Sequence, residues 1–250
     1  MKISIVIITL NSENTLYKVL EAVSWADEIV IVDSGSTDKT IEIATQFGAK
    51  IVYKEFEGYG LQKRFAVEQA TNDWVLCLDD DEMVTSELRE EIFNIPRKNA
   101  DCHGFFIPIS LCFLGRVLRF GGEYKVLRLR LFDRKKGNWD LSKVHEKVII
   151  DGTVCKLNHQ ILHYSYSSLA DYFTKFNRYT SYAAEDLAKA GKQGSMFSVI
   201  TRFPITFLKI YLLRGAILDG YPGFVWAILS AMYPVVKYAK LREMNSSFAN

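Results

Sequence analysis

The sequence predicts an α/β fold, a mainly parallel sheet with flanking helices followed by a helical C-terminal appendage, and three observations carry that reading. Short β-branched runs alternate with helical patterns through the first half of the chain. Those runs are apolar at nearly every position, as strands covered by helices on both faces are. Polar side chains collect just after the runs end, where open α/β sheets gather their ligands.

Ile3 to Thr9 reads as the first strand, and Leu16, Val19, Leu20 and Val23 fall on one face of the helix after it. A second strand over Ile29 to Val32 leads to a helix from about Thr37 to Phe47 and a strand at Lys50 to Tyr53. A helix across Leu61 to Ala70 then feeds the strand Trp74-Val-Leu-Cys-Leu78, which ends in Asp79-Asp-Asp-Glu82. Past residue 165 the pattern turns helical, so the chain divides into an α/β domain over 1–165 and a helical region over 166–250.

The helical region opens on Tyr164, Tyr166, Tyr172, Phe173, Phe176, Tyr179 and Tyr182, a recurrence that suits a packing stripe. A linker at Ala188 to Gly194 separates it from two apolar runs, Phe197 to Leu213, interrupted by Arg202, Pro204 and Lys209, and Phe224 to Val236, interrupted by Pro234. Neither run supplies the roughly 20 uncharged residues of a membrane span. Their flanking basic residues fit a membrane surface of anionic lipid, and the competing reading is a helical pair packed on protein.

Charge and cysteine usage narrow the class. A net charge of +2 gives no electrostatic ground for a nucleic-acid partner, although residues 192 to 242 hold seven basic side chains against the single acid Asp219. Cys77, Cys102, Cys112 and Cys155 have neither close pairing nor zinc-ligand spacing and read as buried or incidental thiols. Lys2 to Thr9 enters a strand without a charged leader or cleavage signal, so a reducing, cytoplasmic location is expected.

The chemistry centres on the acids. Asp79 and Asp81 share one side of an extended chain, and converging carboxylates call for a cation; oxygen ligands at a strand end suit Mg²⁺ or Mn²⁺, which keep positions open for substrate phosphates. The alternative is a solvated acidic turn ahead of a helix capped by Thr85 or Ser86. Asp33 opens Asp-Ser-Gly-Ser-Thr-Asp38, which suits either contact with a nucleotide base or ribose or plain turn chemistry. No G-x-G-x-x-G or Walker lysine motif is present, so a dinucleotide or P-loop site is unsupported.

Taken together, Ser4-Ile-Val-Ile-Ile-Thr-Leu-Asn-Ser-Glu13, Glu28-Ile-Val-Ile-Val-Asp-Ser-Gly-Ser-Thr-Asp38 and Leu78-Asp-Asp-Asp-Glu82 resemble, in order and spacing, a family 2 glycosyltransferase of GT-A fold. Val144-His-Glu146 and Lys240-Leu241 resemble more narrowly the bacterial enzymes that glycosylate the lipopolysaccharide inner core, the WaaE and LgtF-like group. The resemblance implies a nucleotide-sugar donor, UDP rather than GDP, a divalent metal and inversion at the anomeric carbon. It puts Thr9, Asn11 and Glu13 in the nucleotide pocket, Asp33 at the base, Asp79 at the ribose or donor sugar and Asp80 in the variable middle position. Asp81 would ligate the metal, with Asp79 and His145 as further candidate ligands. Glu146 would be the base that deprotonates an acceptor hydroxyl. Arg64 and Arg130 lie in resembling stretches and carry forks that match phosphate oxygens. Relatives often carry Tyr-Pro-Asp where this chain has Tyr124-Lys-Val126, so an acceptor contact is expected to be missing or replaced.

The implied acceptor is a lipid-anchored saccharide met at the inner-membrane surface by a peripheral enzyme. Two rivals remain at this point: a transferase acting on polyprenyl phosphate, whose acceptor is already ionised and needs no base, and a catalytically silent nucleotide-sugar-binding or scaffold protein.

Overall fold

The computed structural model describes residues 1–95, 101–141, 146–193 and 195–247. The chain forms two compact units, one of residues 1–110 and 125–165, the other of residues 111–124 and 166–250.

The first unit begins with the expected alternation: β1 (Ile3–Thr9), α1 (Leu16–Ala22), β2 (Glu28–Asp33), α2 (Thr40–Gln46), β3 (Lys50–Tyr53), α3 (Tyr59–Glu68) and β4 (Trp74–Asp79). There follow β5 (Glu82–Val84), α4 (Ser86–Phe93), β6 (Gly104–Phe113), which runs on into the second unit where β7 (Arg116–Val117) lies, and then β8 (Val126–Asp133), β9 (Gly137–Trp139), β10 (Val148–Ile150), β11 (Val154–Lys156) and β12 (Ile161–His163). The main sheet runs β3-β2-β1-β4-β8-β6-β12-β5. Strands β3, β2, β1 and β4 are mutually parallel, and β8 returns antiparallel beside β4.

Alternation along β1 explains why the sheet is covered twice. Ile3, Ile5 and Ile7 join Leu16, Val19 and Leu20 of α1 in one core cluster, whereas Val6 joins Val30, Val32 and Ala66 and Val67 of α3 in another. Successive side chains of a strand point to opposite faces, so an uninterrupted apolar run needs a helix on each. Each such side chain taken out of water contributes about 1.5–3 kcal/mol. This common register also brings the ends of β1, β2 and β4 level: Thr9 lies opposite Asp33, and Ile8 opposite Asp79.

One expectation is overturned. Cys102 and Cys155 form a disulfide, with Cα atoms 5.9 Å apart, while Cys77 and Cys112 are buried thiols outside it. Their separation of 53 residues concealed the pair. Proximity arises because β11 lies parallel to β6, Cys155 opposite Phe105 and Cys102 just before the strand.

In the second unit, α5 (Leu169–Lys189), α6 (Met196–Leu208), a π turn at Lys209–Leu213, a 3-10 turn at Ala216–Asp219 and α7 (Gly220–Ser247) follow one another. Ser168 caps α5 by accepting from Asp171 N. Pro204 and Pro234, which break the apolar runs of the sequence, lie inside α6 and α7. The aromatic stripe packs only in part: Tyr166 and Tyr172 lie with Phe113 around Trp226, with Phe113 and Trp226 ring centroids 5.3 Å apart, and Phe176 packs against the same cluster, whereas Tyr164, Phe173, Tyr179 and Tyr182 are exposed. Among the described residues no single helix is long and apolar enough to cross a membrane.

Helix α4 is tied to the β11–β12 connection through one carboxylate. Thr85 caps the helix by accepting from Leu88 N, and Glu91 accepts from Asn158 N at 3.0 Å and from His159 N at 2.9 Å. Burial resists the charge on Glu91, but the hydrogen bonds from His159 and Asn158 outweigh it and hold its pKa below the ordinary glutamate value. A carboxyl depressed in the folded state contributes stability above its unfolded pKa, about 4.3, and loses it as pH falls through the folded value. Glu91→Gln is therefore expected to cost about 1–2 kcal/mol at neutral pH. In thermal melts of both proteins, the gap in Tm should close as the pH is taken below that of free glutamate; a gap independent of pH would contradict the assignment.

Candidate active site

At the carboxyl edge of the sheet, acidic side chains from β4 and β5 meet cations from α3 and β8. Asp79 Oδ1 lies 2.9 Å from Lys63 Nζ, and its Oδ2 accepts from Arg130 at 2.8 Å. The same Arg130 nitrogen donates to Glu82 Oε1 at 2.5 Å, and Asp79 N donates to Glu82 Oε2 at 3.1 Å. Glu82 is only 1% exposed, so its charge depends on this partner. The Trp139 ring closes the floor, 4.9 Å from Lys63 Nζ and 5.9 Å from Arg130 Cζ, and its Nε1 donates to Cys77 Sγ at 3.4 Å. Burial pushes the Cys77 thiol up to about 12, which makes it an inert core group.

The electrostatics divide the acids. Burial resists ionisation of Asp79, yet Arg130 and Lys63 hold it well below the usual carboxylate range. Glu82 goes the other way: burial raises it, Arg130 pulls it back, and the neighbouring charge of Asp79 adds to the rise. Burial likewise opposes the charge on Lys63 and Arg130, and the carboxylates beside them keep both protonated.

Lys63 also reaches Glu146, with Nζ 3.0 Å from Oε1, so the two carboxylates share one ammonium. Neighbouring Arg64 does not enter the cluster. Its side chain is 42% exposed, faces Glu68 at 3.3 Å and donates to the Trp139 carbonyl at 3.4 Å. One residue along a helix turns the side chain by about 100°, and the buried face of α3 carries Gln62, Lys63, Ala66 and Val67 instead. Arg64 thus lies outside the cluster and Lys63 inside it, while Arg130 enters the cluster with its guanidinium on Asp79 and Glu82.

Asp79 and Asp81 do not converge on one cation site. Both Asp79 oxygens are taken by Lys63 and Arg130, which argues against metal ligation by this residue. Asp81 faces the other way, its Oδ1 3.0 Å from His163 Nε2. That contact is an ion pair without hydrogen-bond alignment, so a buried carboxylate oxygen lacks a well-aligned donor. Burial opposes protonation of His163, but contact with Asp81 and the charges of Asp81, Glu82 and Asp79 prevail and raise its pKa. The sheet arranges this pair: β12 runs antiparallel to β5 with His163 opposite Glu82, and Asp81 O accepts from Tyr164 N at 2.8 Å.

The Asp81 oxygen without an aligned donor suits a divalent cation, whereas His163, whose raised pKa favours imidazolium and whose Nε2 also lies 2.7 Å from Ser165 Oγ, would have to give up its proton to ligate one. No group of three or more His, Cys, Asp or Glu able to hold a metal occurs among the described residues, so such an ion would need oxygens from a ligand to complete its shell. His145, expected near this site, lies outside the described residues.

The remaining predicted residues build the adjoining loops. Asp33, 4% exposed, accepts from Gly35 N and Ser36 N at 2.8 Å each, from Ser36 Oγ at 2.5 Å and from Thr9 Oγ1 at 3.2 Å. The turn chemistry that competed with base binding in the sequence is thus realised. Asn11, at φ 54°, donates its N–H to Ser36 Oγ at 2.9 Å and accepts from Thr37 N at 2.8 Å. Glu13 Oε2 accepts from Lys39 N at 3.2 Å. Asp80 accepts a hydrogen bond from Ser12 Oγ, joining the acidic loop to the first.

Glu82, His163 and Trp139 were not singled out from sequence. For Glu82 the acidic run was a signal, and for Lys63 the signal was a charged residue on the apolar face of a predicted helix. His163 comes from a three-residue strand whose neighbour is set by long-range pairing alone.

Comparison with known proteins gives the family. The family model described as glycosyl transferase family 2 matches residues 4–117. An uncharacterized glycosyltransferase of Rickettsia typhi is 34% identical over 261 residues, covering 100% of this chain and 89% of that protein. The lipopolysaccharide core biosynthesis glycosyltransferase LpsC of Rhizobium meliloti is 30% identical over 253 residues, covering 98% and 94%. Among solved structures, Staphylococcus aureus TarS 1-349 covers 100% of this chain and 91% of that one at TM-score 0.49 and 15% identity. Glucosyl-3-phosphoglycerate synthase from Mycobacterium tuberculosis, with Mn²⁺, UDP and glucosyl-3-phosphoglycerate, covers 44% of each chain at TM-score 0.37 and 24% identity. With relatives aligned from end to end and the family pattern spanning β1 to the acidic loop and beyond, the chain is a GT-A-like glycosyltransferase and belongs to glycosyl transferase family 2.

Proposed function

We propose that this glycosyltransferase moves a hexose, with inversion, from a UDP-sugar to a hydroxyl of a lipid-anchored saccharide of the lipopolysaccharide inner core. It would work peripherally at the cytoplasmic face of the inner membrane. The observation that carries the chemistry is Glu146, a carboxylate held by Lys63 beside the acids at the end of β4. Similarity to LpsC along nearly the whole of both chains supports the acceptor class.

In the transfer, an acceptor oxygen bonds to the anomeric carbon as the carbon–oxygen bond to the diphosphate breaks. The bonding pair leaves with the nucleoside diphosphate. Glu146 takes the acceptor proton, with Lys63 fixing the carboxylate as it does so. Asp79, locked between Lys63 and Arg130, offers a rigid acceptor edge for sugar hydroxyls. Glu82 serves to orient Arg130. A bound Mg²⁺ or Mn²⁺, held by Asp81 and His163, would supply positive charge to the leaving diphosphate.

A polyprenyl-phosphate acceptor needs no base, so the Lys63-held carboxylate favours a hydroxyl. The silent binding protein predicts saturable donor binding without nucleotide release.

Glu146→Gln should retain donor binding and lower transfer by about 10²–10⁴-fold. Normal turnover of this variant on rough lipopolysaccharide would remove Glu146 as the base. His163→Ala and Asp81→Asn should each weaken Mn²⁺ binding to the UDP-loaded protein by about 10–100-fold in calorimetric titration. Unaltered metal affinity in both variants would place the ion elsewhere.

A further inference from the structure

The second unit presents apolar side chains that its own packing leaves uncovered. Phe197, Ile200, Ile205, Leu213, Leu218 and Tyr221 are each between 61% and 83% exposed. Their concentration within one short stretch is more than the scattered surface leucine that any protein carries. The segments Ile200–Leu213 and Ala216–Asn245 are bent by 68° where they meet, and Leu213 and Leu218 flank the break.

This elbow is built from within. Ile210, Ala216 and Ala227 are buried together beneath it, and Phe207 stacks on Tyr211 with centroids 5.2 Å apart. Gly215 and Gly220 take φ values of 72° and 65° at the two corners. A Cβ on Gly223 would lie 1.9 Å from Ala216 O, so α7 passes too close to the turn for any other residue. Asp219 accepts from Arg119 N at 3.1 Å and Phe120 N at 2.9 Å, and Arg214 O accepts from Gly121 N at 2.9 Å. The exposed leucines therefore project from a fixed support.

Charge decides what covers them. Lys209, Arg214 and Arg119 are exposed around the elbow. The single acid between residues 192 and 242, Asp219, has both oxygens committed to backbone N–H groups. A second copy packing symmetrically on this face would set these cations against their own equivalents, with the Asp219 carboxylate already committed. An anionic lipid surface accepts both parts at once, leucines below the headgroups and basic side chains snorkelling to the phosphates.

We propose that residues 208–221 form a monotopic anchor that inserts into the interfacial layer of an anionic bilayer, with Leu213 and Leu218 leading and Lys209 and Arg214 at the phosphates. The anchor deepens the reading of a lipid-anchored acceptor and takes its purpose from it, while its own test needs no acceptor.

The full chain is sedimented with vesicles of pure phosphatidylcholine and of phosphatidylcholine mixed with phosphatidylglycerol. Wild type should bind the mixed vesicles. The double variant Leu213→Glu/Leu218→Glu, whose side chains already face water, should bind about tenfold more weakly or less, with unchanged circular dichroism. Lys209→Gln should lose about fivefold on the mixed vesicles and nothing on the neutral ones. Nucleotide release with a delipidated core oligosaccharide should be the same in all three proteins. The anchor is refuted if wild type fails to bind, if the double variant binds as well as wild type, or if its main effect is to convert a dimer to a monomer in sedimentation velocity. Vesicle binding by a wild type that releases no nucleotide would refute the acceptor reading and leave the anchor standing.

Discussion

Countercharge for the acids at the end of β4 is the constraint on which the site depends. A strand from the centre of the sheet delivers Asp79, Asp80, Asp81 and Glu82 to one edge, with Glu82 almost fully removed from water. Unpaired, such a group would force protonation or unfolding, since the effective penalty for burying one ion is several kcal/mol. The chain answers with cations from two distant elements, Lys63 on α3 and Arg130 on β8, each bridging two carboxylates. The result is a lattice of alternating charges whose geometry is set by the helix and strand beneath it.

That lattice separates tasks among similar side chains. Asp79 is locked by cations, Asp80 accepts from Ser12, and Asp81 turns toward His163. Of the three, only Asp81 shows a buried oxygen without an aligned donor. Three adjacent residues of one type thus acquire three environments because successive positions at a strand end face different elements.

How much of this was legible in the sequence depended on range. The alternation from β1 to β4 is written in local periodicity, and the predicted strand at Lys50 to Tyr53 has the observed bounds. Asp79, Asp81, Glu146 and Arg130 could be picked out from acid spacing and resemblance. Lys63 was passed over for Arg64, although helical phase places it on the buried face of α3. His163 and the Cys102–Cys155 disulfide were illegible for a common reason. Each depends on a three-residue strand, β12 or β11, whose partner lies about 50 to 80 residues away. Local periodicity has no access to such pairings.

The composition of the second unit bears on how the chain can be cut and recombined. Residues 111–124 leave the first unit partway along β6, supply Leu111, Phe113 and Leu118 to the aromatic core around Tyr172 and Leu229, and return at residue 125. The N–H groups that satisfy Asp219 come from this excursion as well. The second unit is therefore no modular tail. An exchange of C-terminal segments between relatives succeeds only if the excursion travels with them, so the two stretches must change together during divergence.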